Sequence, residues 1–294
     1  MFNFFRMVFS PIIAILDFIT KYFKTIVFLT IIYFVVVDSN ESLTDTNSYA
    51  NLQKIELSGP IMDVSKTLED IEKAKLDKNI KGIMFVVNSP GGSVAPSVEL
   101  AYAIKELKEI KPVVVYASGV IASGSYYASI WANKIIANPG SMVGSIGVIM
   151  QGVNAEELMS KIGVSTQTVK AGKFKESGTP TRKWTDFEEK QLQSVIDDTY
   201  NMFIGDVANA RSLDIKNHTQ FADAKIFTAK QAKEIGLVDE VATISYAQNV
   251  LVTLSKVDTP IWKKQDKFDK FMDRLVSETV SNISTNFVSG LKAY

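Results

Sequence analysis

Residues 82–94 read GIMFVVNSPGGSV. The first six, GIMFVV, contain no polar side chain, so they lack the in–out alternation of a half-exposed strand. Such a run fits a strand buried on both faces, as in a parallel sheet covered by helices. The next residues, NSPGG, must then form a turn. Pro90 redirects the chain, and the paired Gly91 and Gly92 tolerate positive φ and leave backbone N–H groups open. Taken alone this is an ordinary strand-to-helix turn, although the same geometry can cradle an oxyanion.

Working outward, strand-like and helix-like segments alternate. KIELSGPI (54–61) reads as a strand, SKTLEDIEKAKLD (65–77) as a charged helix, and SVELAYAIKELKEI (97–110) as the helix after the glycine turn. VVVYAS (113–118) is a second buried strand, a helix starts near Gly124, and KIIAN (134–138) and SIGVIM (145–150) read as further strands before a helix in AEELMSKIG (155–163). The longest periodic helix runs from Trp184 to Arg211, with Thr185 as N-cap and Glu188 three residues on. Phe221 to Ala242 reads as a strand-turn-helix that closes the domain. The alternation predicts an α/β fold, a parallel sheet flanked by helices.

Composition narrows the function. The 294 residues carry 32 basic and 32 acidic side chains, which gives no electrostatic case for nucleic acid. The absence of cysteine removes disulfides, thiolate metal sites and cysteine nucleophiles together. No cofactor or metal is expected.

The N-terminus predicts a membrane anchor. Thr25 to Val37 is uncharged but only 13 residues long, short of the roughly 17 that a spanning helix needs. A span over residues 20–37 therefore requires Lys21 and Lys24 to snorkel to the interface. Arg6, Lys21 and Lys24 precede the apolar run and Asp38, Glu41 and Asp45 come after it. That asymmetry predicts a cytoplasmic N-terminus and the rest of the chain on the outer face. A cleaved signal peptide is the alternative, but no small-x-small site follows Val37 closely. Met7 to Leu16, broken by Pro11, reads as an interfacial segment. The expected organisation is residues 1–37 as cytoplasmic N-terminus and anchor, 38–50 as a polar linker, 51–258 as the main α/β domain and 259–294 as an amphipathic helical tail. In the tail Phe268, Phe271, Met272, Leu275, Ile283, Phe287 and Leu291 keep helical spacing; it packs on the domain, on a neighbouring subunit or on the membrane surface.

Three clusters lie at or near strand ends, where open α/β sheets place their sites. The first is the Pro90–Gly92 turn. The second is VIASGSYYAS (120–129), with Ser123, Ser125 and Ser129 as candidate nucleophiles, each equally readable as a helix-capping serine. The third is VKAGKFKESGTP (169–180), in which Lys170, Lys173 and Lys175 could be a solvated basic loop or hold a general base. No GxSxG, GxGxxG, Walker or HExxH motif occurs. The single histidine, His218, lies in the polar segment KNHTQ and reads as an exposed loop residue. A serine nucleophile then needs a lysine base. An ordinary lysine titrates near 10.4, and lowering it by about three units takes burial worth roughly 4 kcal/mol. Ser145, in GSIG (144–147), offers such a lysine a hydroxyl partner.

Taken in order, NSPGGSV, ASGSYYAS, GSIGVI and GKFKESG resemble the signal peptide peptidase A family, in its short single-module form. These are membrane-anchored serine–lysine endopeptidases of the ClpP/crotonase superfamily, and the resemblance covers roughly Asn51 to Ala242. It implies a ClpP/crotonase-like fold and places the nucleophile on Ser123, the general base on Lys175 and its positioning serine on Ser145. The oxyanion donors fall on the Gly92 and Gly124 N–H groups. Ser125 stands where the family's Ser-Gly-Gly-Tyr-Tyr motif has its second glycine. The resemblance further implies hydrolysis of signal peptides or other apolar peptides in a bacterial cytoplasmic membrane, by a ring-like homo-oligomer in which neighbouring subunits supply Ser and Lys. The rival readings are a ClpP-like membrane protease directed at a membrane protein such as stomatin, a non-hydrolytic oligomeric scaffold, and a crotonase-type acyl-CoA enzyme.

Overall fold

A computed structural model describes residues 17–30, 32–33 and 49–264. The chain divides into two compact units, Met1–Tyr49 and Ala50–Tyr294. In the first, residues 17–30 are helical and expose Phe18, Phe23, Phe28 and Leu29. Among the described residues no helix is long and apolar enough to cross a membrane. The predicted span over 20–37 runs past residue 33, and its end lies outside the described residues, as do Met7–Leu16, most of the linker and the periodic positions of the tail.

The second unit is α/β. In chain order it contains β1 (Leu52–Ser58), α1 (Ser65–Leu76), β2 (Gly82–Ser89), α2 (Val94–Lys108), β3 (Val113–Ala122) and α3 (Gly124–Ser129). Then come β4 (Lys134–Ala137), β5 (Met142–Gly144), α4 (Glu156–Lys161), α5 (Asp186–Arg211) and α6 (His218–Phe221). β6 (Ile226–Thr228), α7 (Ala229–Glu234), β7 (Glu240–Val241) and α8 (Ile244–Ser255) complete it. The sheet runs β1-β2-β3-β4-β7, all parallel, and β5 pairs parallel with the far end of β3. β6 pairs antiparallel with β5, so the sheet is mixed and mostly parallel, not wholly parallel as the sequence suggests.

The buried run that predicted this sheet behaves accordingly. Ile83, Phe85 and Val87 of β2 and Val113, Val115 and Ala117 of β3 face the main core, which α2, α3 and α5 cover. Met84, Val114, Tyr116 and Ile136 face the opposite side, where Ala247 and Leu251 of α8 close over them. Each fully buried large side chain here contributes roughly 1.5–3 kcal/mol before entropy is counted.

One irregularity positions the site. β2 and β3 run in step from Ile83↔Val113 to Val87↔Ala117, but the next pair is Ser89↔Ile121, so β3 advances four residues while β2 advances two. The Asn88 Oδ1 accepts the Val120 N–H at 3.0 Å and the Ser118 hydroxyl donates to the Val87 carbonyl at 3.2 Å, which pins this bulge. Bulges bend the strand that carries them. Beyond this one, Val120–Ala122 pairs with β5 instead of β4. That brings GSIG alongside the end of β3.

Three local expectations change. SIGVIM is not a strand: the strand is Met142–Gly144, and Gly144 (φ 115°) and Ser145 (φ 52°) then break the extended backbone. His218 opens a short helix, half-buried against Tyr200, with Nδ1 3.1 Å from the Ile215 carbonyl. Helix α8 has no counterpart in the sequence reading. The long helix is as expected: the Glu188 carboxylate accepts the Thr185 N–H at 2.9 Å, closing the capping box.

Candidate active site

Ser123 sits between the end of β3 and the start of α3 with φ 52° and ψ −124°. Such a backbone costs a non-glycine residue of order 1–3 kcal/mol and persists only where its surroundings enforce it. Here the Ser123 N–H donates to the Gly144 carbonyl at 2.8 Å, and the Ser123 carbonyl accepts the Tyr127 N–H at 3.0 Å. The first bond ties the elbow to GSIG, so Ser145 comes directly after the residue that holds Ser123. The Ser145 N–H is itself fixed on the Lys225 carbonyl at 2.7 Å.

The structure distinguishes the three serines. Ser129 is fully buried and donates to the Ser125 carbonyl at 2.8 Å, one helical turn back. Ser125 is fully buried; its Oγ accepts the Ala122 N–H at 2.9 Å and lies 2.7 Å from the Ser89 carbonyl. Ser123 is half-buried, and among the described residues its hydroxyl makes no hydrogen bond. The flanking tyrosines are occupied. Tyr126 donates to the Leu237 carbonyl at 2.7 Å, and Tyr127 donates to the Asp206 carboxylate. Burial first pushes both phenols upward, which keeps them protonated.

The glycine turn packs directly on this elbow. Ile61 bridges Gly92 by donating its N–H to the Gly91 carbonyl at 2.9 Å and accepting the Ser93 N–H at 2.8 Å, so the bridge uses neither polar group of Gly92 itself. A Cβ on Gly92 would stand 2.1 Å from the Ile61 carbonyl oxygen. A Cβ on Gly124 would stand 2.2 Å from the Ser97 Oγ and 3.3 Å from Gly92 N. The backbones of Gly92 and Gly124 thus lie close together beside Ser123. Two backbone donors beside a serine hydroxyl can stabilise a tetrahedral oxyanion.

The lysines are distinguished in the same way. Lys170 pairs with the Glu176 carboxylate, and Lys173 lies over the Phe187 ring, 4.5 Å from its centroid. Lys175 is exposed in a turn where its N–H donates to the Gly172 carbonyl, and among the described residues its Nζ makes no hydrogen bond or ion pair. No hydrogen bond within the single chain joins Lys175 to Ser123 or Ser145. The single chain therefore brings together Ser123, Gly124, Gly92 and Ser145, and leaves Lys175 on a separate loop.

That loop is clasped to α5. Arg182 grips both oxygens of the fully buried Glu188 at 2.8 and 2.9 Å and reaches Glu176 at 3.2 Å. The Trp184 indole donates to the Thr179 carbonyl at 2.9 Å. Lys170 first, then Arg182, lowers the Glu176 carboxyl below its usual range, and Arg182 lowers that of Glu188 further. Glu176 is next to Lys175 in sequence yet its charge is spent on Lys170 and Arg182. The capping box was readable in the sequence; the Arg182 grip on Glu188 had no signal there.

A mostly parallel α/β sheet here ends in a strained serine packed against a glycine turn, an arrangement compatible with a serine hydrolase site. The profile of peptidase family S49 matches residues 105–258. The chain is 45% identical over 193 residues to a protein of Methanocaldococcus jannaschii named as a protease, covering 66% of this chain and 61% of that one. It is 36% identical over 218 residues to a protein of Synechocystis named as a protease, covering 72% and 77%. It is 32% identical over 232 residues to a protein of Enterococcus faecium named as a signal peptide peptidase, SppA, covering 74% and 67%. Among solved structures, the 1510-N membrane-bound stomatin-specific protease is similar at 15% identity with a TM-score of 0.49, covering 74% of this chain and 99% of that one. The chain belongs to peptidase family S49 and is a serine peptidase.

Proposed function

We propose that this chain is a membrane-anchored endopeptidase that degrades signal peptides and related apolar peptides through a Ser123–Lys175 dyad. The observation that carries the proposal is a double elimination. Among three serines at the strand end, Ser123 alone keeps its hydroxyl free, and among three lysines in the loop, Lys170 is held in an ion pair and Lys173 lies over aromatic rings, which leaves Lys175 as the one without a partner among the described residues.

Ser123 Oγ attacks the scissile carbonyl while neutral Lys175 Nζ takes its proton, with the Ser145 hydroxyl orienting the amine. Negative charge collects on the former carbonyl oxygen, which the Gly92 and Gly124 N–H groups bind. Collapse breaks the C–N bond, and the Lys175 ammonium protonates the leaving amine. Lys175 then takes a proton from water as it attacks the acyl-enzyme, and Ser123 leaves with that proton.

The exposure of Lys175 in the single chain supports a ring-like homo-oligomer, with Ser and Lys contributed by neighbouring subunits. Ile149, Val153, Leu158, Ile162 and Val169, on the chain leading into the lysine loop, are all at least half exposed. Assembly over that surface would desolvate Lys175 as a lysine base requires. The name of the Enterococcus relative supports the substrate class. The exposed Phe18, Phe23, Phe28 and Leu29 of residues 17–30 are compatible with anchoring; the basic residues before the apolar run and the acidic ones after it favour a catalytic domain on the outer face, and the family resemblance favours a bacterial cytoplasmic membrane.

The test is cleavage of a signal-peptide-like substrate by Ser123→Ala and Lys175→Ala chains. Each should lose roughly a thousandfold or more in kcat; full activity in either variant contradicts the dyad.

A further inference from the structure

Two fully buried serines, Ser89 and Ser125, lie beneath the elbow and do no chemistry in the mechanism above. They come from different motifs. Ser89 ends β2 immediately before Pro90, and Ser125 is the second residue of α3. The Ser125 Oγ accepts the Ala122 N–H at 2.9 Å, and its one proton goes to the Ser89 carbonyl at 2.7 Å, nearer than the Ala122 carbonyl at 3.0 Å. The Ser89 side chain continues the connection: its Oγ accepts the Gly91 N–H at 3.2 Å. A short chain of hydrogen bonds thus runs from the residue before the nucleophile, through Ser125, to the residue that holds the glycine turn.

These bonds join the two strand ends that carry the two oxyanion donors. Gly124 comes after the nucleophile on one side and Gly92 after Gly91 on the other. With no solvent at either serine, no water from outside competes for the bonds. We propose that Ser125 is a positioning residue, whose hydroxyl sets the separation of the Gly92 and Gly124 N–H groups and so the fit of the oxyanion. The proposal rests on the reading of Ser123 as nucleophile and adds a role to a residue which that reading leaves idle.

The role predicts an order among substitutions. Ser125→Ala fills the space with a methyl that bonds neither the Ala122 N–H nor the Ser89 carbonyl. Ser125→Gly removes the side chain and leaves room for one water among three polar partners, the Ala122 N–H and the Ala122 and Ser89 carbonyls, which suffices to hold it. Glycine should therefore work better than alanine, although alanine is the better helix former.

The experiment measures kcat and KM on a peptide substrate, and the inhibition constant of a peptide aldehyde whose hemiacetal oxygen occupies the oxyanion position. Ser125→Ala should lower kcat about tenfold, less than outright loss of a donor, weaken the aldehyde by a similar factor and leave KM unchanged. Ser125→Gly should stay within about threefold of the parent on both. If the alanine chain does not fold, Ser125→Cys carries the comparison, since a thiol fills the space but accepts weakly. Wild-type kcat in a folded alanine or cysteine variant overturns the positioning role, as does a glycine variant no better than alanine. Fluorophosphonate labelling of the unsubstituted chain separates the two claims. A label elsewhere than Ser123 overturns the nucleophile and this role with it, whereas a label on Ser123 with an unaffected Ser125→Ala variant overturns this role alone.

Discussion

Gly91 and Gly124 lie so close that a Cβ on Gly91 would stand 2.6 Å from Gly124 N and 2.9 Å from the Ser123 Cβ. Gly91 also has φ 91°, where an L side chain is strained. Gly91→Ala should therefore cost about 1–2 kcal/mol in backbone strain and push the turn off the elbow. We expect a folded chain with a lower thermal midpoint and kcat reduced about a hundredfold, the scale of losing one oxyanion donor. Calorimetry and peptide hydrolysis on the same preparation check both effects.

Placing Ser123 and Lys175 in neighbouring subunits predicts complementation. Ser123→Ala and Lys175→Ala chains, each inactive alone, should regain activity when unfolded together in equal amounts and reassembled. In a head-to-tail ring about a quarter of the sites then unite an intact serine with an intact lysine. Mixtures that stay inactive would assign both residues to one subunit.

The clasp on the lysine loop predicts a pH dependence. The Glu188 carboxyl is held below its usual range, by Arg182 first and then by Thr185. Its contribution to folding is therefore complete above the ordinary glutamate pKa and is lost as pH falls through the lowered value. Thermal stability should be level from pH 7 to about pH 5 and decline below that. Glu188→Gln should weaken this acid-side decline, lower the midpoint at neutral pH, and reduce kcat by loosening the loop that carries Lys175.

Tyr126 offers a control three residues from the proposed nucleophile Ser123. Its side chain is fully buried and its hydroxyl donates to the Leu237 carbonyl at 2.7 Å. Tyr126→Phe should cost about 1–3 kcal/mol, the scale of a buried acceptor left without its donor. Its kcat should be unchanged at temperatures where the variant is folded. A large loss of kcat would give this tyrosine a catalytic part.

Much of this architecture is legible in the residues themselves. GIMFVV and VVVYAS announce buried strands because both their faces are covered, one by the main core and the other by α8. The clusters around Gly92 and Ser123 can be found because a glycine pair and a run of serines follow buried strands, whereas the loop of Lys175 follows no strand, and within their clusters Ser123 and Lys175 are singled out only by the family resemblance. SIGVIM misleads because its apolar residues suggest a strand while the backbone at Gly144 and Ser145 has already turned; Ile149 and Met150 are exposed. The strand within Phe221–Ala242 is expected and found as β6, but its antiparallel direction cannot be read, since three residues carry no directional signal. Nor can the task of Ser125. Its partner Ser89 is 36 residues away, and only the register between β2 and β3, with its bulge, brings the two together.

The central claim is that Ser123, and neither Ser125 nor Ser129, is the nucleophile. The direct measurement is reaction of the full chain with a peptide fluorophosphonate, with the modified residue then mapped by mass spectrometry. A single adduct on Ser123 is expected, formed much more slowly by Lys175→Ala and absent from Ser123→Ala. An adduct on Ser125 or Ser129, or one that persists in Ser123→Ala, would contradict it.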